Sequence, residues 1–504
     1  MEHKKVPIST FQLRQKQIDS IFEYFSTPDI RYSTILNPDK FQLYGQTPKI
    51  NNNHLAYFKE VLIEILFFIP RVILELSRAT LKHFFYIKNY IDFKENNWLK
   101  INSLYVSHYT NIRIPKKNFD TFFGSLPFHE ESQRNLILLI DHSKGKKGNK
   151  KFEKFNLLSE RYLLLPKTCS NKLFLKILAI QTKNFFQVMY SLISVMPKID
   201  NDIKLYLEVA RNQLSRAAIN KYILLYNLIF VLEKVNATQI VMTYEGHAYE
   251  SFVINKIKTK FKDMVIQLYQ HAPVVKSQHT FFRNLSYLPL DVKIFVTGKR
   301  IEEMIINSDF QIMLEIFVLG SFKRTNKLIN VKNSKKQLHV LIAAENDQKT
   351  SQVFIAISKI LCESFREAKF TLRLHPDFEI QRVNAEDLNF NNYPNLNLSS
   401  GSLEQDLLEN HVCIYNSSSI SIECLPYYVE PIHYSCYPNL DLDPIQLIDL
   451  PHKRISNLHS IISHLKFKLD NKILPLNYLS KMDKAYDAYY ARPNIKRYFL
   501  NIKN

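Results

Sequence analysis

Three short segments of this 504-residue chain gather side chains that move protons or bind phosphates. They are Thr243-Tyr244-Glu245-Gly246-His247, Arg373-Leu374-His375-Pro376-Asp377 and Tyr415-Asn416-Ser417-Ser418-Ser419. Each closes an apolar run of strand character, and in open parallel sheets ligands bind beyond the carboxyl ends of the strands. Glu245 follows the run 239–243, with Gly246 leaving backbone room beside it. In a cleft, partial desolvation would raise its pKa and suit it to take a proton from a hydroxyl; the plainer reading is a helix-start acid paired with Lys or Arg. Pro376 biases His375 toward extended backbone and holds its imidazole outward, where it can donate to a phosphate oxygen and offset charge on a leaving group. The neighbouring strand is expected to supply the serine loop, so that both face one pocket. Ser417, Ser418 and Ser419 open a helical stretch, where hydroxyls and orphan N–H groups favour an anion unless a serine merely caps the helix.

Other positions are weighed beside these. Gly246, His247, Gln270, His271 and Arg373 stand at or near strand ends and could line a cleft, with a hydrogen-bonded structural histidine the equal alternative for His271. Glu423, one turn beyond the serines, either binds a ribose hydroxyl or simply faces solvent. Asp441-Leu442-Asp443 has the spacing of a metal-binding pair but follows no convincing strand, so no metal site is expected. Gly145-Lys146-Lys147-Gly148 lacks the frame and the Lys-Ser/Thr end of a P-loop, and neither G-x-S-x-G nor H-E-x-x-H occurs.

The elements that must position these residues show in the hydrophobic pattern. Runs at 136–140, 162–165, 239–243, 265–269 and 293–297 read as strands, with a long helix or helix pair over 203–235. A second series runs through 338–343, 370–374, 396–398 and 411–415. Residues 1 to about 130 carry helical periodicity and aromatic clusters without clear strands, so they read as a helical extension. The division is therefore a 1–130 extension, an α/β domain over 131–325, a second over 326–475 and a helical segment over 476–504. The polar, basic stretch from Lys323 to Lys336 is the expected interdomain linker. Val61–Leu76 is the most apolar stretch, but Glu64, Pro70, Arg71 and Glu75 interrupt it, which argues for a core or interfacial helix rather than a span.

Composition bounds the partners. The excess of 67 basic over 47 acidic residues gives +20, a field that attracts polyanions such as acidic lipid head groups or phosphorylated substrates. The charge is dispersed, apart from Lys144, Lys146, Lys147, Lys150, Lys151 and Lys154, and no nucleic-acid-binding signature accompanies it, so nucleic acid is not an expected partner. Five scattered cysteines without a CxxC pair fit a reducing cytoplasm, and the polar N-terminus lacks a signal-peptide core.

Two consecutive α/β domains followed by a helical C-terminus suggest the GT-B architecture, two facing Rossmann-like domains, here behind an N-terminal helical extension. The motifs resemble those of bacterial surface-polysaccharide glycosyltransferases: sialyltransferases, polysialyltransferases and related Kdo transferases. That group carries an acid-acid-glycine motif, then an HP motif and a serine pair, in the order of Tyr244-Glu245-Gly246, His375-Pro376 and Ser417-Ser418-Ser419. The resemblance spans roughly residues 239–425 and departs from the pattern at Tyr244, where the group has its first acid. It implies a CMP-activated sialic acid, other nonulosonate or Kdo as donor and substrate, with no separate cofactor. His375 and the serines would hold the CMP phosphate and Glu245 would act as base. A lipid-linked or oligosaccharide acceptor of a capsule or lipopolysaccharide is then expected, at the anionic surface of the inner membrane. A CDP-glycerol or CDP-ribitol phosphotransferase fits Arg373-Leu374-His375-Pro376 equally, and a noncatalytic polyanion- or lipid-binding scaffold would account for the charge alone.

Overall fold

The apolar runs that end in polar loops fold as parallel strands. A computed structural model describes parts of 15–32, residues 66 and 70, and 101–109, 118–129, 135–142, 161–165, 169–195, 203–275, 277–325, 337–375, 389–437, 441–445, 450–471 and 474–503. The first sheet contains β1 (Ser103–Tyr109), β2 (Asn135–Asp141), β3 (Tyr162–Leu165), β4 (Gln239–Thr243), β5 (Val265–Tyr269), β6 (Lys293–Val296) and β7 (Glu315–Val318). Their spatial order is β3-β2-β1-β4-β5-β6-β7, and every pairing is parallel. The second sheet, β10-β9-β8-β11-β12-β13, is built from β8 (His339–Ala343), β9 (Lys369–Arg373), β10 (Leu396–Leu398), β11 (Val412–Tyr415), β12 (Glu430–Tyr434) and β13 (Lys453–Ile455), again all parallel. Both orders start in the middle and reverse after the third strand. Each sheet therefore has a switch point, between β1 and β4 and between β8 and β11, where the strand ends open a crevice. The architecture is α/β and GT-B.

Alternation puts one set of side chains on each face. In the first sheet Leu104, Val106, Leu136, Leu138, Ile240 and Met242 pack on one side, while Tyr105, Ile137, Leu139, Val241 and Tyr269 pack on the other. The first side is covered by α1 (Asn171–Val195), α2 (Ile203–Gln213), α3 (Arg216–Val235) and α4 (Ala248–Lys260). Local rules end these helices: Ser215 accepts the Ala218 N–H at the start of α3, and Asn236 closes it in the left-handed region at φ 49°. Elements α5 (His279–Ser286) and α6 (Lys299–Ile306) follow β5 and β6. Helices α7 (Gln348–Ser364), α8 (Leu403–Glu409), α9 (Ile420–Glu423) and α10 (Leu458–Asp470) belong to the second domain. The chain ends in α11 (Leu476–Tyr489) and α12 (Ile495–Lys503).

Two expectations are corrected. The boundary at 130 falls too late, because β1 lies inside the segment read as a helical extension and sits centrally in the sheet between β2 and β4. Its run holds Ser107, a polar residue at 0% exposure that becomes affordable because its hydroxyl donates to the Asp120 carboxylate at 2.8 Å. Of the two readings of 203–235, a long helix or a helix pair, the structure has the pair, α2 and α3. The strands β7, β12 and β13 join those foreseen. The linker from 326 to 336 and nearly all of Val61–Leu76 lie outside the described residues, and among those described no helix is long and apolar enough to cross a membrane.

Candidate functional site

The carboxyl edge of the first sheet carries a row of titratable side chains, one strand after another. Beyond β4, Glu245 has a side chain one-third exposed, with Oε1 at 2.8 Å from His271 Nε2 and Oε2 at 3.5 Å from His247 Nε2. His271 follows β5 and is buried, its ring meeting the Phe122 ring edge-on at 4.7 Å between centroids. The backbone N–H groups of Glu245 and His247 both donate to Glu250 Oε2, at 3.0 and 2.8 Å, and Gln278 Nε2 donates to the Glu245 carbonyl at 2.8 Å. The Glu245 carboxylate is thus presented by a loop whose backbone is tied down on both sides.

Gly246 is required here by two demands at once. Its φ is +82°, and a Cβ would come within 2.5 Å of the Phe281 backbone in α5. Asn284 Nδ2 then donates to the Gly246 carbonyl at 3.1 Å. Tyr244, where the resembling group has an acid, turns into the core at 0% exposure with its hydroxyl 3.2 Å from Ser251 Oγ. It is a packing residue.

Electrostatics overturn one expectation about Glu245. Burial pushes its carboxyl up, as the sequence suggested, but the charge of His271 and hydrogen bonds from His247 and His271 outweigh this and hold it well below the ordinary range. The proton-holding acid is instead Glu250, which burial raises to about 7, opposed by His247 and reinforced by the charge of Glu245. Gln270, read as a cleft residue, is fully buried and staples β5 to β6, accepting from Thr297 N and Oγ1 at 3.2 Å each.

Sequence reasoning missed the other half of the row. His108 is the penultimate residue of β1, with Nε2 at 2.9 Å from Thr243 Oγ1 of β4 and Nδ1 at 2.9 Å from Nε2 of the exposed His142 beyond β2. Burial, then His142 and His271, hold His108 well below its usual pKa, with Glu245 opposing and His247 adding to the depression. The signal was hidden because β1 itself went unrecognised.

In the second domain the predicted loops are spent differently from expectation. The serine loop follows β11, whereas His375 follows β9, and β8 lies between these strands, so the two loops are not neighbours. The first strand of such a domain takes a central place, which sequence order conceals. At the switch point, buried Glu345 accepts the Ser417 N–H at 2.6 Å, so a carboxylate already holds the donor assigned to a phosphate. The helix behind it, α9, is a single turn. Ser418 Oγ caps the Ile420 N–H at 3.3 Å, and Ser419 Oγ donates to Glu423 Oε1 at 2.7 Å. Arg373 is withdrawn from the cleft reading, since its guanidinium braces Asp406 at 2.6 Å, Ser399 Oγ at 3.1 Å and the Gly401 carbonyl at 3.1 Å. His375 is half-buried just past β9, and Pro376 lies outside the described residues.

The Asp441-x-Asp443 pair is built into a network rather than held open for an ion. Asp441 meets Arg454 at 2.7 Å, and buried Asp443 accepts from Tyr415 at 2.7 Å and His452 at 2.5 Å. Among the described residues no group of three or more His, Cys, Asp or Glu could hold a metal ion. This network meets the first domain directly: Ser277, seven residues after Gln270, donates its N–H to the Asp441 carbonyl at 3.3 Å and accepts the Asp441 N–H on Oγ at 2.9 Å. The loop that carries His271 and Gln278 to Glu245 is therefore also the loop that touches the second domain.

No family model matches the chain, and no curated protein matches it. Solved structures do resemble it in fold. A putative UDP-N-acetylglucosamine 2-epimerase from Listeria monocytogenes shares 10% identity at a TM-score of 0.50, over 80% of this chain and 96% of that one. The UDP-GlcNAc 2-epimerase from Neisseria meningitidis shares 11% at 0.48, over 80% and 100%. The glycotransferase of kitacinnamycin shares 9% at 0.45, over 80% and 99%. At such identities the likeness concerns the fold alone, and that fold is GT-B.

Proposed function

We propose that the chain is a glycosyltransferase in which Glu245 receives the proton of an acceptor hydroxyl while a nucleotide-activated sugar is held on the second domain. The observation that carries this reading is the Glu245 carboxylate, one-third exposed and oriented by His271 and His247 at the sheet edge whose neighbouring loop reaches the second domain. A base with a depressed pKa is charged throughout the neutral range. It accepts the proton late, as the new glycosidic bond makes the hydroxyl acidic, and the two imidazoles keep it aimed meanwhile. The order of the Glu-Gly, His-Pro and serine motifs supports a CMP-activated nonulosonate or Kdo as donor, with His375 facing the leaving phosphate. The charge of +20 supports an acidic glycan acceptor or an anionic membrane surface.

A donor screen tests this directly. CMP-, CDP- and UDP-activated sugars and CDP-polyols are offered with mixed acceptors, and release of the nucleotide is followed. Release from a CMP-sugar supports the reading, release from a CDP-polyol moves it to a phosphotransferase, and release from a UDP-sugar overturns the donor assignment. In the active pairing Glu245→Gln is expected to lower turnover by roughly 10²-fold while nucleotide affinity holds. Near-normal turnover would place the base elsewhere.

A further inference from the structure

The switch point of the first sheet falls between β1 and β4, and the side chains that meet across it are His108 and Thr243. His108 continues to His142, so three adjacent strands contribute to one hydrogen-bonded chain that reaches an exposed ring. We propose that the His108–His142 pair is an anion subsite for the acceptor, taking a carboxylate or phosphate that the acceptor carries near its reacting hydroxyl. This rests on the transferase reading. β2 lies two strands from β4, which sets the subsite about 10 Å from the Glu245 side of the row. A short oligosaccharide end spans that distance.

The chemistry of the pair favours an anion that arrives with a proton. Two imidazole nitrogens 2.9 Å apart share one hydrogen between them. Both rings can be cationic only if that bond is given up, which a nearby negative charge makes favourable. The groups facing His108 are His142 beyond β2, Thr243 from β4, Glu245 and His247 from the following loop, His271 beyond β5, and the Phe122 ring at 5.3 Å. Glu245 is already paired with His271 and His247, so its charge is committed at its own end of the row.

Calorimetric titration of the full chain at pH 7, in two buffers of different ionisation enthalpy, tests the subsite. The probes are a sialylated trisaccharide, a phosphorylated disaccharide and their neutral parent. One or both acidic probes are expected to bind roughly tenfold more tightly than the parent, with proton uptake. A preference for only one of them identifies the anion as carboxylate or phosphate. His142→Gln, a change at an exposed position that can still hydrogen-bond to His108, is expected to bring the acidic-to-neutral ratio close to one and abolish the uptake. Equal binding of all three probes overturns the subsite, as does an acidic preference that survives both His142→Gln and His108→Gln. The binding arm needs no turnover: a failed donor screen sinks the transferase reading while an acidic preference lost in the variants still supports the subsite.

Discussion

Two carboxyls five residues apart have been driven in opposite directions. Glu245, charged and paired with imidazoles, sits low; Glu250, buried beneath the same loop, is pushed up to about 7. Pairs separated in this way are the usual mark of assigned acid and base roles. Glu250 also makes a prediction about stability. Between its ordinary value of 4.5 and about 7 the folded protein keeps a proton that the unfolded chain has released, so stability falls as pH rises through that window. Glu245 works in the opposite sense but only below its ordinary value of 4.5, so the two effects separate. Glu250→Gln is expected to remove on the order of 2 kcal/mol of the decline between pH 5 and pH 7.5, read from urea unfolding at both pH values. An unchanged slope in the variant would mean that another buried group titrates there.

At the scale of elements, legibility followed the hydrophobic pattern and failed where polar residues were satisfied internally. The strands carrying Glu245 and the serines were readable as apolar runs, whereas β1 hid behind Ser103, Ser107 and His108, and with it went half the site. β12 begins Glu-Pro and β13 is three residues long, which conceals both. Glu245, Gly246 and His271 were legible because strand ends and a glycine mark them; the positions of Glu345 and β8 were not, because strand order is a tertiary property. The loop from Gln270 to Gln278 illustrates the same point. It holds Glu245 at one end through His271 and Gln278, and bonds to Asp441 of the second domain through Ser277. Under the proposed transferase reading, Ser277 is expected to position His271 through this loop. Ser277→Ala is expected to lower kcat about threefold or more in the wild-type background and to add nothing in His271→Ala, with Ser277→Thr restoring activity. Simple additivity in that cycle would reduce the contact to packing.

At the scale of the whole molecule, the last thirty residues do what the two sheets alone cannot. Helix α11 packs Met482, Ala485 and Tyr486 into the core and binds the second domain through the Tyr489 hydroxyl on the Pro444 carbonyl. The chain then returns to the first domain. Ala491 N donates to the Thr297 carbonyl at 2.9 Å, Ser321 N to the Ala491 carbonyl at 2.9 Å, and Asn494 N to the Leu319 carbonyl at 2.8 Å. From α12, Tyr498 reaches Gln267 Oε1 at 2.5 Å on the far face of the first sheet. What was readable as a separate helical segment is a strap over both domains, and it passes close against Gly298. Gly298 has extended backbone that any residue adopts, so the demand is proximity alone: a Cβ would stand 2.2 Å from the Ala488 carbonyl oxygen and 2.4 Å from that of Tyr489. Backbone atoms on both sides cannot rotate away as a side chain would, so Gly298→Ala must lift the strap. Overpacking of this kind costs about 1–3 kcal/mol. Because the strain falls on the join between domains, scanning calorimetry is expected to show a lower melting temperature, with one transition splitting into two as the domains uncouple. Melting at the wild-type temperature as a single peak would show that the strap yields without loss, and that the two domains are held together by the Ser277–Asp441 side of the molecule instead.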